Sequence, residues 1–505
     1  MSLDVAAIIR GTGAHVIQLT TNGDQVHGGL SRSELATPIL SVTVDSRNVR
    51  PGSLFVALKG EHMDGHQFIG QALAQGAGGC VIQAASHVTR DQAPVVLTGD
   101  PTKFLFVVDD PLAALQRLAT SIRRASQAAV IGITGSVGKT TTKEIVASVL
   151  SHAMPVLWTE ANLNTEIGLP LMLTRLQPSH RAAVLELGMH FVGDIKLLAA
   201  IAQPSLGIVT NVAPVHLERM GTIERIAHEK SELVAALPAD GIAILNGDDR
   251  WARAMAQTSG LAPAVLVGRG DTCDYRIDGV EAEGLQGLRF VLEAEGERMQ
   301  MQAPLAGAHL VPALCYAAAV ARYLDVSWPA IREAITRVKL DIRQRIITTS
   351  QGHVIDDSYN ASPLSVKAAL DVLRSAPGLR VAVLGDMLEL GADEEAAHRD
   401  VGAYTAATAD CLVAVGPRGR WIADEAVQAG MPVENVLHVG TNMEAVYALQ
   451  GCPAGTTCTP QSRASFLLQR PETDPEESVR ERTVLVKGSR GMKMEEVVHQ
   501  LRENA

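Results

Sequence analysis

The chain has 505 residues, 47% of them hydrophobic and 20% charged. That composition fills several cores and excludes global disorder, and at one domain per ~150 residues it predicts about three domains. The net charge of −11 argues against a general nucleic-acid or acidic-membrane binder, since phosphate backbones need clustered cations.

Aromatic residues are only 3%. Alanine, leucine and valine fill the cores instead, as in α/β proteins of parallel strands and packed helices. Six cysteines are scattered without a C-x-x-C pair, the usage of a reduced compartment. The N-terminus lacks a basic stretch followed by an apolar one, and no run of ~18 apolar residues occurs. The expectation is a soluble cytoplasmic protein with no membrane span.

In chain order, residues 1–110 read as a small α/β unit. SVTVDSRNV, SLFVALKG, CVIQ and FLFVVDDP are its strands, and FIGQALAQGAGG is a helix stopped by glycine. Pro111 punctuates, and LAALQRLATSIRRAS leads as an amphipathic helix into a second unit, 111–340. Its strands AAVIGIT, AAVLEL, LGIVTNV and GIAILN alternate with helices, which predicts a mainly parallel sheet with ligands at the strand ends. Residues 272–303 alternate like antiparallel strands. The third unit, 341–505, repeats strand and helix from HVIDDSY through TVLVKGS to a last helix, the pattern of a doubly wound, Rossmann-like domain. Residues 452–480 interrupt it with a polar stretch read as a surface loop. The predicted fold is thus α/β in three domains.

The strongest chemical signal runs from Gly132 to Thr141, where a strand enters a glycine loop and then a helix. Gly135, Ser136 and Gly138 let backbone N–H groups turn toward a phosphate, and the helix N-terminus adds positive potential. Lys139 supplies a point charge, Thr140 a hydroxyl for Mg²⁺, and Thr141 lies beside it. Ile133 stands where a strict Walker motif has glycine. The D-x-x-G and N-K-x-D patterns of a regulatory GTPase are missing. Glu186 ends a strand at the same edge, His216 follows the next strand, and Lys230 lies one helix later. Singly, each reads as an ordinary strand-end acid, cap or solvated lysine. Together with the loop, the carboxylate and the imidazole form a candidate Mg²⁺ shell.

TGSVGKTTTKE, NLNTEIGLPL, ELGM, HLERMGTIERIAHEKSEL and IDDSYNASPLSVKAAL, in this order, resemble the Mur ligases over nearly the whole chain. That resemblance implies an ATP-dependent amide ligase of peptidoglycan precursor synthesis. DSRNVRPGSLFVALKG, DSYNASP, LGDMLELGADEEAAH and VLVKGSRGMKME resemble the branch that adds D-alanyl-D-alanine to UDP-N-acetylmuramoyl-tripeptide through an acyl phosphate. The D-N-P-R motif of the branch adding the third amino acid is absent.

The resemblance implies roles. Gly135, Ser136, Gly138, Lys139, Thr140 and Thr141 would hold ATP phosphates, with Arg345 reaching across and Asp357 on the ribose. Thr140, Glu186, His216 and a carbamylated Lys230 would hold Mg²⁺. Asn162 and Asn164 would line the muramoyl-peptide cleft. Asn360, Asp386, Glu389, Lys487 and Arg490 would lie near the dipeptide, and Asp45, Ser46, Arg47 and Lys59 near the UDP-sugar. A monomer is expected. The sequence departs at Ala161, Thr165 and Ser362. It departs further at His309-Leu310-Val311-Pro312-Ala313, where the family has H-N-x-x-N beside the adenine. Another Mur-type ligase, or a non-catalytic relative that binds nucleotide or precursor, stays open.

Overall fold

The computed structural model describes residues 3–19, 25–26, 30–84, 103–214, 217–258, 262–340, 345–450 and 482–503. Among these, three β-sheets succeed one another along the chain.

The first sheet runs in space Gln25–Val26, His15–Leu19, Lys103–Val108, Gly79–Gln83, Ser53–Val56, Ser41–Thr43. Its first two pairings are antiparallel and the rest parallel. Leu54, Val56, Phe104 and Phe106 form its core against the helix Val5–Thr12. That helix and the strand His15–Leu19 carry no alternation that the sequence reading picked out. Pro111 opens a helix, Pro111–Ala125, rather than ending a segment. Proline fits the first helical position because its missing N–H would be unpaired there anyway, and Asp110 caps the N–H groups of Leu112 and Ala113. Leu115 and Leu118 of this helix enter the first core, and Ala119 enters the next.

The second sheet has nine strands, ordered Glu297–Ala303, Leu288–Ala294, Tyr275–Ala282, Ala264–Gly268, Ile242–Asn246, Leu206–Val209, Ala129–Thr134, Ala182–Glu186, Val156–Trp158. The two pairings among the first three strands are antiparallel and the others parallel. The alternating stretch 272–303 therefore extends the parallel sheet as a meander. Helices Lys139–Ser151 and Val311–Tyr323 cover one face; Asp194–Ala202 and Ile223–Ala235 cover the other. Val311–Tyr323 is buried on nearly every side, through Leu314, Cys315, Tyr316 and a run of alanines.

The third sheet runs Arg345–Thr349, Gly352–Asp357, Arg482–Lys487, Leu379–Gly385, Cys411–Val415, Val436–Val439. Only the first pairing is antiparallel. The last strand of the chain inserts between two earlier ones. It thereby brings Lys487 level with Asp357 at one sheet edge, the end where parallel sheets hold ligands. Leu285 and Ala306 of the second unit pack into this third core, so the two units share a boundary.

Candidate active site

The loop after Ala129–Thr134 is braced from the neighbouring strand end. Gly135 has φ +151°, and a Cβ there would stand 1.9 Å from Thr210 Oγ1, so only glycine fits. Gly138, at φ +84°, opens the helix Lys139–Ser151. Asn211 clamps the loop between them, accepting from Val137 N–H (2.9 Å) and donating to Val137 C=O (2.8 Å). Thr210 Oγ1 donates to the same carbonyl at 2.7 Å. The Ser136 hydroxyl donates to Ala213 C=O and accepts from Ala213 N–H. Lys139 Nζ folds back to donate to Gly135 C=O at 2.7 Å.

Glu186 closes the neighbouring strand and is 3% exposed. Asn164 Nδ2 donates to its Oε1 at 2.9 Å, while Oε2 is buried without a hydrogen-bond partner. An orphaned buried carboxylate oxygen is rare enough in native proteins to require a ligand or a cost. Behind it, fully buried Lys143 donates to Thr159 C=O at 2.6 Å, and Thr159 Oγ1 accepts from Glu186 N–H. Lys230, on Ile223–Ala235, is 1% exposed. Burial and then the charge of Lys139 push its ammonium well below the usual lysine range, which Glu229 only partly opposes. Glu229 itself accepts from Gly193 N–H at 2.6 Å. His216 lies outside the described residues.

Two cavities flank the loop. The larger, about 450 Å³, is lined by Ser136, Gly138, Lys139, Thr140, Asn162, Asn164, Glu186, His190, Tyr359, Asn360, Glu389 and Arg490, among others. It thus joins the second unit to the strand ends of the third. Glu389 enters it from a backbone at φ +64°. Arg490 stacks over the Tyr359 ring, 5.1 Å from its centre. The smaller cavity, about 250 Å³, shares Val137 and Gly138 with the larger one and has Thr141, Leu310, Ala313, Asp357 and Lys487 in its wall.

Other expected residues sit elsewhere. Asp386 lines neither cavity. Its carboxylate accepts from Arg418 N–H and Gly419 N–H, capping the helix Gly419–Gln428, and burial raises its pKa. Ser489 Oγ and His398 Nε2 accept from Leu388 N–H and Met387 N–H, holding the same loop that presents Glu389. Arg345 is exposed on the edge strand and lines neither cavity. Asp45 and Arg47 pair with each other at 2.7 Å, Ser46 donates to Gln71, and the backbone of Lys59 pairs with that of Asp64 in an isolated antiparallel bridge; all four stand apart from both cavities.

Sequence reasoning passed over Thr210 and Asn211, the polar pair that ends LGIVTN, and over Asn246, Lys143, His190 and Tyr359. Only the pair had a readable signal, a polar step at the end of an apolar strand beside the loop.

Residues 133–321 match the family described as Mur ligase middle domain, 342–458 the Mur ligase glutamate ligase domain, and 38–122 the Mur ligase family catalytic domain. The chain belongs to the Mur ligase family. It is 32% identical to the UDP-N-acetylmuramoyl-tripeptide–D-alanyl-D-alanine ligase of Escherichia coli, over 97% of this chain and 99% of that one. Identity to the same-named Bacillus subtilis protein is 31%, over 95% and 97%. Among solved structures, MurF from Acinetobacter baumannii superposes with a TM-score of 0.81 at 28% identity, covering 100% of this chain and 99% of that one. MurF ligase from Thermotoga maritima, in complex with ADP, gives 0.73 at 25% identity, covering 92% and 97%.

Proposed function

We propose that this protein joins D-alanyl-D-alanine to UDP-N-acetylmuramoyl-tripeptide at the expense of ATP, in peptidoglycan precursor synthesis. The observation that carries the reading is the larger cavity, where Lys139, the half-satisfied Glu186 and the strand ends of the third unit face one space. A carboxylate is a poor electrophile for an amine. The tripeptide's terminal carboxylate oxygen attacks the γ-phosphorus and ADP leaves, giving an acyl phosphate. The dipeptide amine then attacks the acyl carbon, loses a proton and expels phosphate.

In this scheme the phosphate loop and Lys139 position the β- and γ-phosphates and offset their charge. Asn162 and Asn164 face the tripeptide. Glu389, Asn360 and Arg490 face the dipeptide, while Asp386 acts at one remove, by fixing the loop beneath Glu389. Asp357 meets the ribose across the smaller cavity. The donor set fits Mg²⁺: a carboxylate oxygen with an open valence on Glu186 and the hydroxyl of Thr140 are hard ligands, with His216 and a carbamylated Lys230 as further members. Held there, Mg²⁺ would offset the charge of the phosphates. Lys230 suits carbamylation because burial favours its neutral amine, the form that adds CO₂ and releases a proton. Residues 1–110 take the UDP-sugar near Asp45, Ser46, Arg47 and Lys59; 111–340 take ATP; 341–505 take the dipeptide, with Arg345 turning to the phosphates on closure. We read the enzyme as a cytoplasmic monomer. Among the described residues no helix is long and apolar enough to cross a membrane.

The test is phosphate release with ATP, Mg²⁺ and UDP-muramoyl-tripeptide, with and without D-alanyl-D-alanine. Release that requires every component is the expected result. Release indifferent to the dipeptide, or none, overturns the reading.

A further inference from the structure

The smaller cavity has an unusual wall. Leu310, Pro312, Ala313, Leu364 and Ala368 supply apolar surface between the phosphate loop and the third unit. Most of the polar side chains beside them are already engaged; of the others, Thr141 stands at the phosphate loop and Thr142 is buried. Asn211 has given both ends of its amide to Val137. Asn246 donates to Thr210 C=O at 2.8 Å and accepts from Asp248 N–H at 2.9 Å. Thr210 donates to Val137 C=O, and Ser365 is tied to Ser362. Buried Tyr316 has its hydroxyl 3.5 Å from Thr210 C=O. Asp357 and Lys487 neutralise each other at 2.5 Å. His309, also in the wall, is exposed, where water competes for any hydrogen bond it makes.

The cavity opens beside Gly138 and Thr141, and Glu186 is not in its wall. A nucleotide whose phosphates lie on the loop therefore has this space for its base. At about 250 Å³ it holds a purine ring in contact with Leu310 and Ala313.

We propose that this slot selects a purine by shape and apolar contact and does not distinguish adenine from guanine by its exocyclic groups. The inference rests on the nucleotide-site reading above and adds its selectivity. A pocket that hydrogen-bonds a substrate group rejects the analogue lacking it by about 10⁴-fold or more, whereas an apolar pocket discriminates by only about 10²-fold. Two positions set this outcome, Leu310 and Ala313, because both put apolar side chains in the wall of the slot.

The experiment measures binding of ADP and GDP to the full chain with Mg²⁺ by calorimetry, independently of turnover. Affinities within a hundredfold of each other are expected. A larger preference for ADP, or no binding of either, overturns the proposal. Ala313→Leu, which fills the slot, is expected to weaken ADP and GDP by the same factor, about tenfold, with its unfolding temperature as a control on folding. A loss confined to one nucleotide overturns it as well. Dipeptide-dependent phosphate release, run with ATP and GTP, separates the two readings. If both diphosphates bind alike but neither triphosphate supports dipeptide-dependent release, the proposed ligase activity fails while the slot stands.

Discussion

The two walls of the cleft bury charge in opposite ways. On the third unit's wall, Lys487 is fully buried and donates to Asp357 at 2.5 Å and to Asn360 C=O at 2.8 Å. These two buried charges complete each other. In the second unit, Lys230 is buried under the influence of another cation, Lys139, and in the wall itself Glu186 keeps one oxygen without a partner. A buried charge that is saturated internally builds a surface. One left incomplete costs stability until a ligand completes it. The chemistry should accordingly lie on the second unit's wall, and the fixed geometry on the third's.

The sharpest way to break that contrast is Lys139→Ala. Lys139 is held to its own loop by Gly135 C=O, a bond a phosphate would readily replace. Turnover should fall by about 10³-fold, the scale of removing a preorganised charge from a phosphoryl-transfer site, with little change in unfolding temperature. Steady-state phosphate release and a thermal melt check both halves. Near-normal turnover would place the chemistry elsewhere.

Lys487→Met probes the opposite wall and should act on stability. Removing one partner leaves Asp357 buried and unpaired, at a cost of about 3–5 kcal/mol. Adding Asp357→Asn should restore most of it. Urea unfolding of the single and double variants measures the difference. A single variant as stable as wild type would mean the pair is not saturated.

Glu186→Gln returns to the second unit's wall with a smaller effect expected. Turnover should drop by about 10²-fold, as for loss of one electrostatic contact in a site. Stability measured without Mg²⁺ should hold or rise, because an unpartnered buried charge is removed. A clear loss of stability instead would assign Glu186 to the scaffold.

How much of this could be read beforehand follows from how local each cause is. Gly135, Gly138 and Lys139 announce themselves because one short segment contains strand, turn and helix start. Glu186 is legible because a strand carries it to the same edge. Thr210 and Asn211 were not, because their work is to brace a loop some seventy residues away in sequence, which only the sheet order reveals. Asp386 was expected near the dipeptide because the family resemblance puts it there. Its competitor was the N-terminus of Gly419–Gln428, whose N–H groups reach it first. The Lys487–Asp357 pair depends on the last strand inserting between two earlier ones, which no local pattern specifies.

The smallest effect expected is a pH dependence confined to the third unit. His398 is fully buried, accepts from Met387 N–H at 2.9 Å and lies within hydrogen-bond distance of Glu394 C=O at 2.7 Å, an arrangement that fixes a neutral ring protonated on Nδ1. The ring also meets Trp421 edge-on. Burial lowers its pKa, outweighing Asp386 and Glu394, which favour the cation, while Arg418 adds to the lowering. The unfolded chain therefore takes up a proton near pH ~6.5, before the folded one does. Between that value and the lowered folded pKa, stability should fall as pH falls, by at most about 1.4 kcal/mol per pH unit. Above pH ~6.5 this contribution is fully present and flat. Urea unfolding at pH steps from 7.5 to 5 would show it, and the difference between wild type and His398→Gln isolates it from other titrations. Since His398 holds the backbone under Glu389, the KM for the dipeptide should rise in the same variant while nucleotide affinity does not. A nucleotide affinity that fell with it would show that the two walls are not separable, and the contrast between them would fail.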